Sequence, residues 1–366
     1  MTAVPRISAS VMTHPVRRAQ AEELAAHLGV GNVAVDPRPD EGPSALRTAL
    51  VAWGQAAPDA THHLMVQDDV AAPAALLDLV ARAVARFPEE ALVFYTNWHA
   101  RNGALTRLAA LAGAGWVRGV PQEFTPTLAV CLPVGLVTEY RRFAGRSEDR
   151  HDDEVLSAFL RPRGRMALLA VPGVVEHIGT SSINGHAAQG VRRAACPLGE
   201  ADARPLLAGG WVLERPDWLP YMRNGEGFLQ LSWAPEPAGH LPWREALPHT
   251  GLTERALSAL ERAHRPADTA AEVGRRFGAR YADELWLHGL LLGAQAAATA
   301  RRQGGGAAGP EHERLRTSAV STLGVASLPA ERRPEVTPDR AALLADYAWS
   351  AIRCGSLLLS DAGRRG

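Results

Sequence analysis

Lysine is absent from this 366-residue chain, so all 39 of its Lys-or-Arg cations are arginine. With no lysine and no glycine-rich turn near the start, a phosphate-cradling loop closed by lysine is excluded. Cysteine is almost as scarce: Cys131, Cys196 and Cys354 are odd in number, far apart and without metal-ligand spacing. That argues against a disulfide framework and fits free thiols in a reducing compartment. No run approaches the ~18 apolar residues of a membrane span. The opening Met-Thr-Ala-Val-Pro-Arg has no apolar signal core, so a cytoplasmic protein is expected. Charge of one sign is not in excess either. Thirty-nine acids against 39 bases leave nothing global to attract nucleic acid or an anionic membrane, and any anion must be held locally. The bias towards Arg, Ala, Gly and Pro is that of a GC-rich, bacterial host.

What is present is a chain long enough for two domains. Residues 6–12 alternate as a strand, and Arg17 to Leu28 carries apolar positions at helical spacing up to Gly29, a β-α opening. Short strands are expected at 33–35, 64–66, 91–95, 127–132 and 166–171, with helices at 44–55, 73–87 and 152–160. Strands alternating with helices imply an α/β fold with a doubly wound, mostly parallel sheet. The expected division is a sheet domain over residues 1–195 and a second module over 196–366. The latter begins with a stretch rich in Trp, Pro and Gly and continues as Ala/Leu/Arg helices, with a linker at Gly304–Pro310 and a last helix from Pro338 to about Leu359.

Chemistry concentrates in four places. In His62-His-Leu-Met-Val-Gln-Asp-Asp-Val70 an apolar strand runs straight into Asp68 and Asp69. Acids at a strand's carboxyl end lie where open α/β sheets bind ligands, and two adjacent carboxylates call for a cation between them. The cluster Arg150-His-Asp-Asp-Glu154 opens a helical run. Its acids either complement the helix dipole or supply a general base. His177 leads into Gly-Thr-Ser181-Ser182, an imidazole able to ligate a divalent ion beside backbone and hydroxyls open to phosphate. At the first β-α junction, Thr13-His14-Pro-Val-Arg17-Arg18 offers an arginine for a diphosphate or base, or simply a solvated helix face.

In this order the four features resemble a GT-A-type glycosyltransferase. Val66-Gln-Asp-Asp-Val70 is similar to the Leu-Glu-Asp-Asp motif of such enzymes, with Gln67 in place of the first acid. His177-Ile-Gly-Thr-Ser-Ser182 is similar to the His-(Ile/Val)-Gly-x-x-Ser-Ser sequence of N-acetylglucosaminyltransferase IV-like proteins, and Asp152-Asp153-x-x-Leu to the Glu-Asp-x-x-Leu pattern of inverting members. Val11-Met-Thr-His-Pro-x-Arg-Arg18 is similar to the opening of small bacterial and phage glycosyltransferase-like proteins. The motifs fall within residues 6–186; the C-terminal half carries none.

The resemblance implies a metal-dependent, inverting transfer of sugar from a nucleotide-diphosphate donor, a UDP-sugar first among them, to a hydroxyl acceptor. It implies Asp69 and His177 as ligands of Mn2+ or Mg2+, Asp153 as base with Asp152 beside it, and Arg17, His14, Gln67, Asp68, Ser181 and Ser182 around the donor. Among the tryptophans, Trp116 is the candidate acceptor platform, against the commoner role of core packing for Trp98, Trp211 and Trp218. The C-terminal module would shape the acceptor cleft or mediate a homo-oligomer. The competing readings are a catalytically inactive binding or scaffold protein of the same fold, which Gln67 brings forward, and a nucleotidyltransferase, which the missing phosphate loop disfavours.

Overall fold

The computed structural model describes residues 5–179, 191–233, 240–304 and 309–358. The chain opens with β1 (Ile7–Thr13), α1 (Arg18–Leu28), β2 (Val33–Val35), α2 (Ala45–Trp53) and β3 (His62–Gln67). It continues through β4 (Val70–Ala71), α3 (Leu76–Arg86), β5 (Leu92–Val93), α4 (Arg101–Ala112), β6 (Trp116–Arg118) and β7 (Ala129–Pro133). Then come α5 (Val134–Ala144), α6 (Asp152–Leu160), β8 (Leu168–Ala170), β9 (Glu176–His177), α7 (Glu200–Gly209) and β10 (Val212–Leu213). Gly29 ends α1 in the left-handed conformation (φ 67°), and the Ser44 hydroxyl caps α2 by accepting from Arg47 N at 3.2 Å.

Eight strands form one sheet in the order β10-β6-β8-β5-β7-β3-β1-β2. β1 runs parallel to both β2 and β3, and β5 runs parallel to β8. β7 enters antiparallel between β3 and β5, and β6, joined by β10, runs against β8. The sheet is therefore α/β and mostly parallel, as expected, but mixed. A period-two apolar pattern says which face a residue takes and is silent on strand direction. In β3, Leu64 and Val66 enter one apolar layer, with α3 and α7, while Met65 enters the other, with α2, α4 and the helices beyond. Each such fully buried side chain contributes roughly 1.5–3 kcal/mol.

The chain leaves β1 for β2 on one side and returns to β3 on the other, so the crevice at the carboxyl ends of β1 and β3 is the sheet's switch point, where ligands bind in folds of this kind. Thr13 and Asp68 stand there.

Residues 205–250, which show little periodicity in the sequence, contain a three-stranded antiparallel sheet, β11 (Leu219–Arg223), β12 (Glu226–Gln230) and β13 (His240–Pro242). Asn224 and Gly225, both at positive φ (52° and 84°), make its two-residue turn. The remaining helices are α8 (Trp243–Ala246), α9 (Glu254–His264), α10 (Ala267–Phe277), α11 (Ala279–Arg302), α12 (Pro310–Ser321), α13 (Leu323–Ser327) and α14 (Pro338–Leu357). α14 lies along α11, and α4 packs on both α11 and α12. At that junction Arg107, 3% exposed, donates to the carbonyls of Trp98 (2.7 Å) and Ala319 (3.1 Å) and to the Thr322 hydroxyl (2.9 Å). Burial lowers its pKa to about 10. No helix among the described residues is long and apolar enough to cross a membrane.

Candidate functional site

Asp68 and Asp69 follow β3 directly and are nearly buried, at 6% and 8% exposure. Asp68 accepts a short hydrogen bond from the Thr13 hydroxyl at the tip of β1, and its carbonyl accepts from Gln20 Nε2 at 2.9 Å. Burial raises its pKa; the Thr13 bond works against that and the Asp69 charge adds to it. Asp69 differs. Burial would raise it too, but the His177 contact and the charges of His177, Arg17 and Arg192 outweigh burial and hold it below the usual carboxylate range.

Antiparallel pairing of β4 with β9 sets Val70 opposite His177, and the Ile178 amide donates to the Asp69 carbonyl at 2.9 Å. Two residues 108 positions apart in sequence thus meet, with His177 Nε2 3.4 Å from Asp69 Oδ2. Arg17 Nη1 donates to that same Oδ2 at 3.1 Å and lies 3.4 Å from Asp68 Oδ1. Arg192 Nη2 is 3.0 Å from His177 Nε2. A guanidinium can only donate, so Nε2 is the acceptor here and carries a lone pair. It cannot donate to Asp69 at the same time; in the protonated ring it donates to Asp69 and gives up the Arg192 bond.

The donor set fits a divalent cation. Asp69 Oδ1 is buried without a partner among the described residues, and His177 Nε2, whose one lone pair here faces Arg192, would ligate a cation once that guanidinium turned away. A Cβ on Gly179 would come within 2.9 Å of Asp69 Oδ2 and 3.2 Å of His177 Nε2, so glycine keeps that space open. Among the described residues no group of three or more His, Cys, Asp or Glu side chains gathers to hold a metal. Were a cation bound here, Asp69 and His177 would supply two of its ligands and a bound molecule or water the rest.

Two cavities meet at this junction. The first, about 610 Å3, is lined by Thr13, His14, Arg17, Asp36, Asp68 and Asp69 among others. The second, about 1040 Å3, is lined by Tyr95, Phe124, Thr127, Asp152, Asp153, Glu154 and His177 among others. Gln67 and Arg192 line both. His14 caps the short turn Pro15–Arg17, its Nδ1 accepting from Val16 N at 3.4 Å. Gln67 Nε2 donates to the Thr127 hydroxyl at 3.1 Å, and that hydroxyl also bonds to Asp152. An acid at position 67 would face a carboxylate that is already crowded. Ser181 and Ser182 lie outside the described residues.

α6 opens at Asp152, which is 4% exposed with Oδ2 unpartnered among the described residues. Burial, then repulsion from Asp153, pushes its pKa up to about 7, and burial raises Asp153 and Glu154 as well. Asp153 Oδ1 accepts from the Glu154 amide at 2.9 Å. The first-turn acids therefore do cap locally, and at Asp152 the Thr127 bond and the backbone amides offset only part of the burial.

Several lining residues were not among the expectations. Asp36 ends β2 as Asp68 ends β3, a strand-tip acid legible by the same rule, and Arg47 grips it bidentately at 2.7 Å on both oxygens. Arg192 has no local signature. It stands where it does because the Tyr95 hydroxyl donates to its carbonyl (2.6 Å), the Trp98 indole donates to the Val191 carbonyl (3.0 Å) and Glu176 Oε1 accepts from the Ala194 amide (2.8 Å). The tryptophans are structural. Trp116 is fully buried in β6 with Nε1 donating to the Leu207 carbonyl at 2.9 Å, so it is not an acceptor platform. Trp98 and Trp218 are buried, and Trp211 packs half-buried on the core. Phe124, half-buried, lines the second cavity together with Tyr95. Compared with protein-family models and with curated proteins, the chain matches none.

Proposed function

We propose that this chain is a metal-dependent glycosyltransferase that moves a sugar from a nucleotide-diphosphate donor to a hydroxyl acceptor with inversion, its sheet being of the GT-A type. One observation carries the reading: Asp69 and His177 meet, 3.4 Å apart, at the mouth between two cavities, the further of which holds Asp152 and Asp153. Charge counting supports it. Asp68 and Asp69 balance Arg17 and Arg192, and Asp36 balances Arg47. A diphosphate entering this neutral cleft brings negative charge that needs a further cation.

In this reading the first cavity takes the nucleoside diphosphate, with Arg17 and Arg192 donating to phosphate oxygens and the Asp36–Arg47 pair beside the nucleoside. Asp69 and His177 would hold the divalent ion, which when bound offsets charge developing on the departing diphosphate. Asp68, locked by Thr13, orients ribose or sugar hydroxyls. Asp153 accepts the acceptor hydroxyl's proton as the oxygen attacks the anomeric carbon from the second cavity.

Calorimetry with UDP tests the reading. Binding is expected with Mn2+ present and to weaken about 100-fold in Asp69→Asn; a folded protein that binds no nucleoside diphosphate with either Mn2+ or Mg2+ refutes the transferase and leaves the scaffold. A second expectation concerns pH. A base must be ionised, and the Asp152–Asp153 pair is held protonated to unusually high pH by burial and by repulsion between the two, with Asp149 adding to this at Asp153 and the Glu154 amide and His151 opposing it. As pH drops, kcat/KM is therefore expected to fall already above the ordinary carboxylate range. An acid limb confined to the ordinary carboxylate range would take the base role away from this pair.

A further inference from the structure

The second cavity has a polarity that the transfer reaction alone does not require. Asp152, Asp153 and Glu154 face it from the first turn of α6. None of the three is in an ion pair among the described residues. His151 turns its Nδ1 to Asp149 at 3.0 Å, and Arg192 sits on His177 at the opposite rim. Asp152 is 4% exposed, lines the cavity and has an oxygen without a hydrogen-bond partner. A buried carboxylate left so is costly unless a ligand completes it. One wall is apolar and fixed. Phe124 projects from a segment pinned on both sides, its carbonyl accepting from Asn102 Nδ2 at 2.9 Å and the next amide donating to Ser157 Oγ at 2.6 Å. Pro126 and Leu128 extend that wall.

We infer that this cavity is an acceptor site for a hydroxyl compound carrying a protonated amine, an amino sugar or amino alcohol, with its ammonium on Asp152 and Glu154, its carbon face on Phe124 and its hydroxyl on Asp153. The assignment rests on the transferase reading. An ammonium supplies donors to the orphaned oxygen and relieves repulsion among the three acids. A neutral sugar does only the first in part, and an anionic acceptor adds a fourth negative charge.

The test is binding of three probes of one ring size, glucosamine, glucose and glucuronic acid, to the full chain loaded with UDP and Mn2+, followed by ligand-observed NMR at neutral pH. Glucosamine is expected to bind about tenfold or more tightly than glucose, with glucuronic acid weakest. Glu154→Gln, at the exposed rim, is expected to cut glucosamine affinity about threefold and leave glucose and UDP unchanged. Equal binding of the three, binding of none, or preference for glucuronic acid overturns the assignment. UDP binding measured alongside separates the two claims: UDP bound without amine preference refutes the acceptor assignment alone, whereas amine preference without any UDP binding refutes the donor reading.

Discussion

Replacing Asp153 by Asn is expected to lower transfer about 10^3-fold while UDP affinity stays within about twofold, because in the proposed mechanism the carboxylate acts on the acceptor, and it does not line the first cavity. A variant that keeps a tenth of the activity, or one that loses UDP as well, removes Asp153 from the base role. Asp152→Asn separates the two acids by their effect on stability. An acid whose folded pKa is raised favours folding while protonated and weakens it as pH climbs from the ordinary carboxylate range through about 7. Asparagine has no such penalty. The variant should therefore be more stable than the parent at pH 8, by of order 1–2 kcal/mol, with the gap closing towards pH 4. Urea titrations at the two pH values measure it, and a gap independent of pH would show that Asp152 carries no buried charge.

The second large effect lies far from the cleft. α11 and α14 approach so closely that a Cβ on Gly293 would run into the Ile352 carbonyl oxygen, and one on Gly355 into that of Leu290. Both obstacles are backbone, which cannot rotate away, so the helices would have to move apart. Gly293→Ala is expected to destabilise the chain by about 3 kcal/mol, and the pair with Gly355→Ala by less than the sum, since a single separation relieves both clashes. Outside this contact the same change in a helix stabilises by up to about 1 kcal/mol. A neutral or stabilising Gly293→Ala would mean that the two helices are not packed as described.

The sequence exposes β1, α1, β3 and α6 because apolar strands running into acids, and amphipathic helices ended by glycine, are local signals. α4 is hidden for a physical reason: ten of its twelve residues, from Asn102 to Leu108 and on to Ala112, are buried, so it lacks a polar stripe. β4, β9 and β10 are two residues each, too short to show any period. The Asn224-Gly225 turn is a strong hairpin signal obscured by the Trp- and Pro-rich stretch around it. In the cleft, residues that end strands or open helices were legible. Arg192 was not, because it owes its place to partners distant in sequence.

Arg107 has a consequence for dividing the molecule. Its charge, deep between α4 and α12, is balanced by carbonyls and a hydroxyl rather than by an acid, and two of its acceptors, Ala319 O and Thr322 Oγ1, come from the far end of the chain. A fragment stopped at residue 195 would keep the cation and lose those acceptors, exposing the apolar flank of α4 together with an arginine that no longer has a lodging. The cleft-bearing half is thus a poor candidate for transplantation on its own, and recombinant work on the cleft is best done with the helical tail in place.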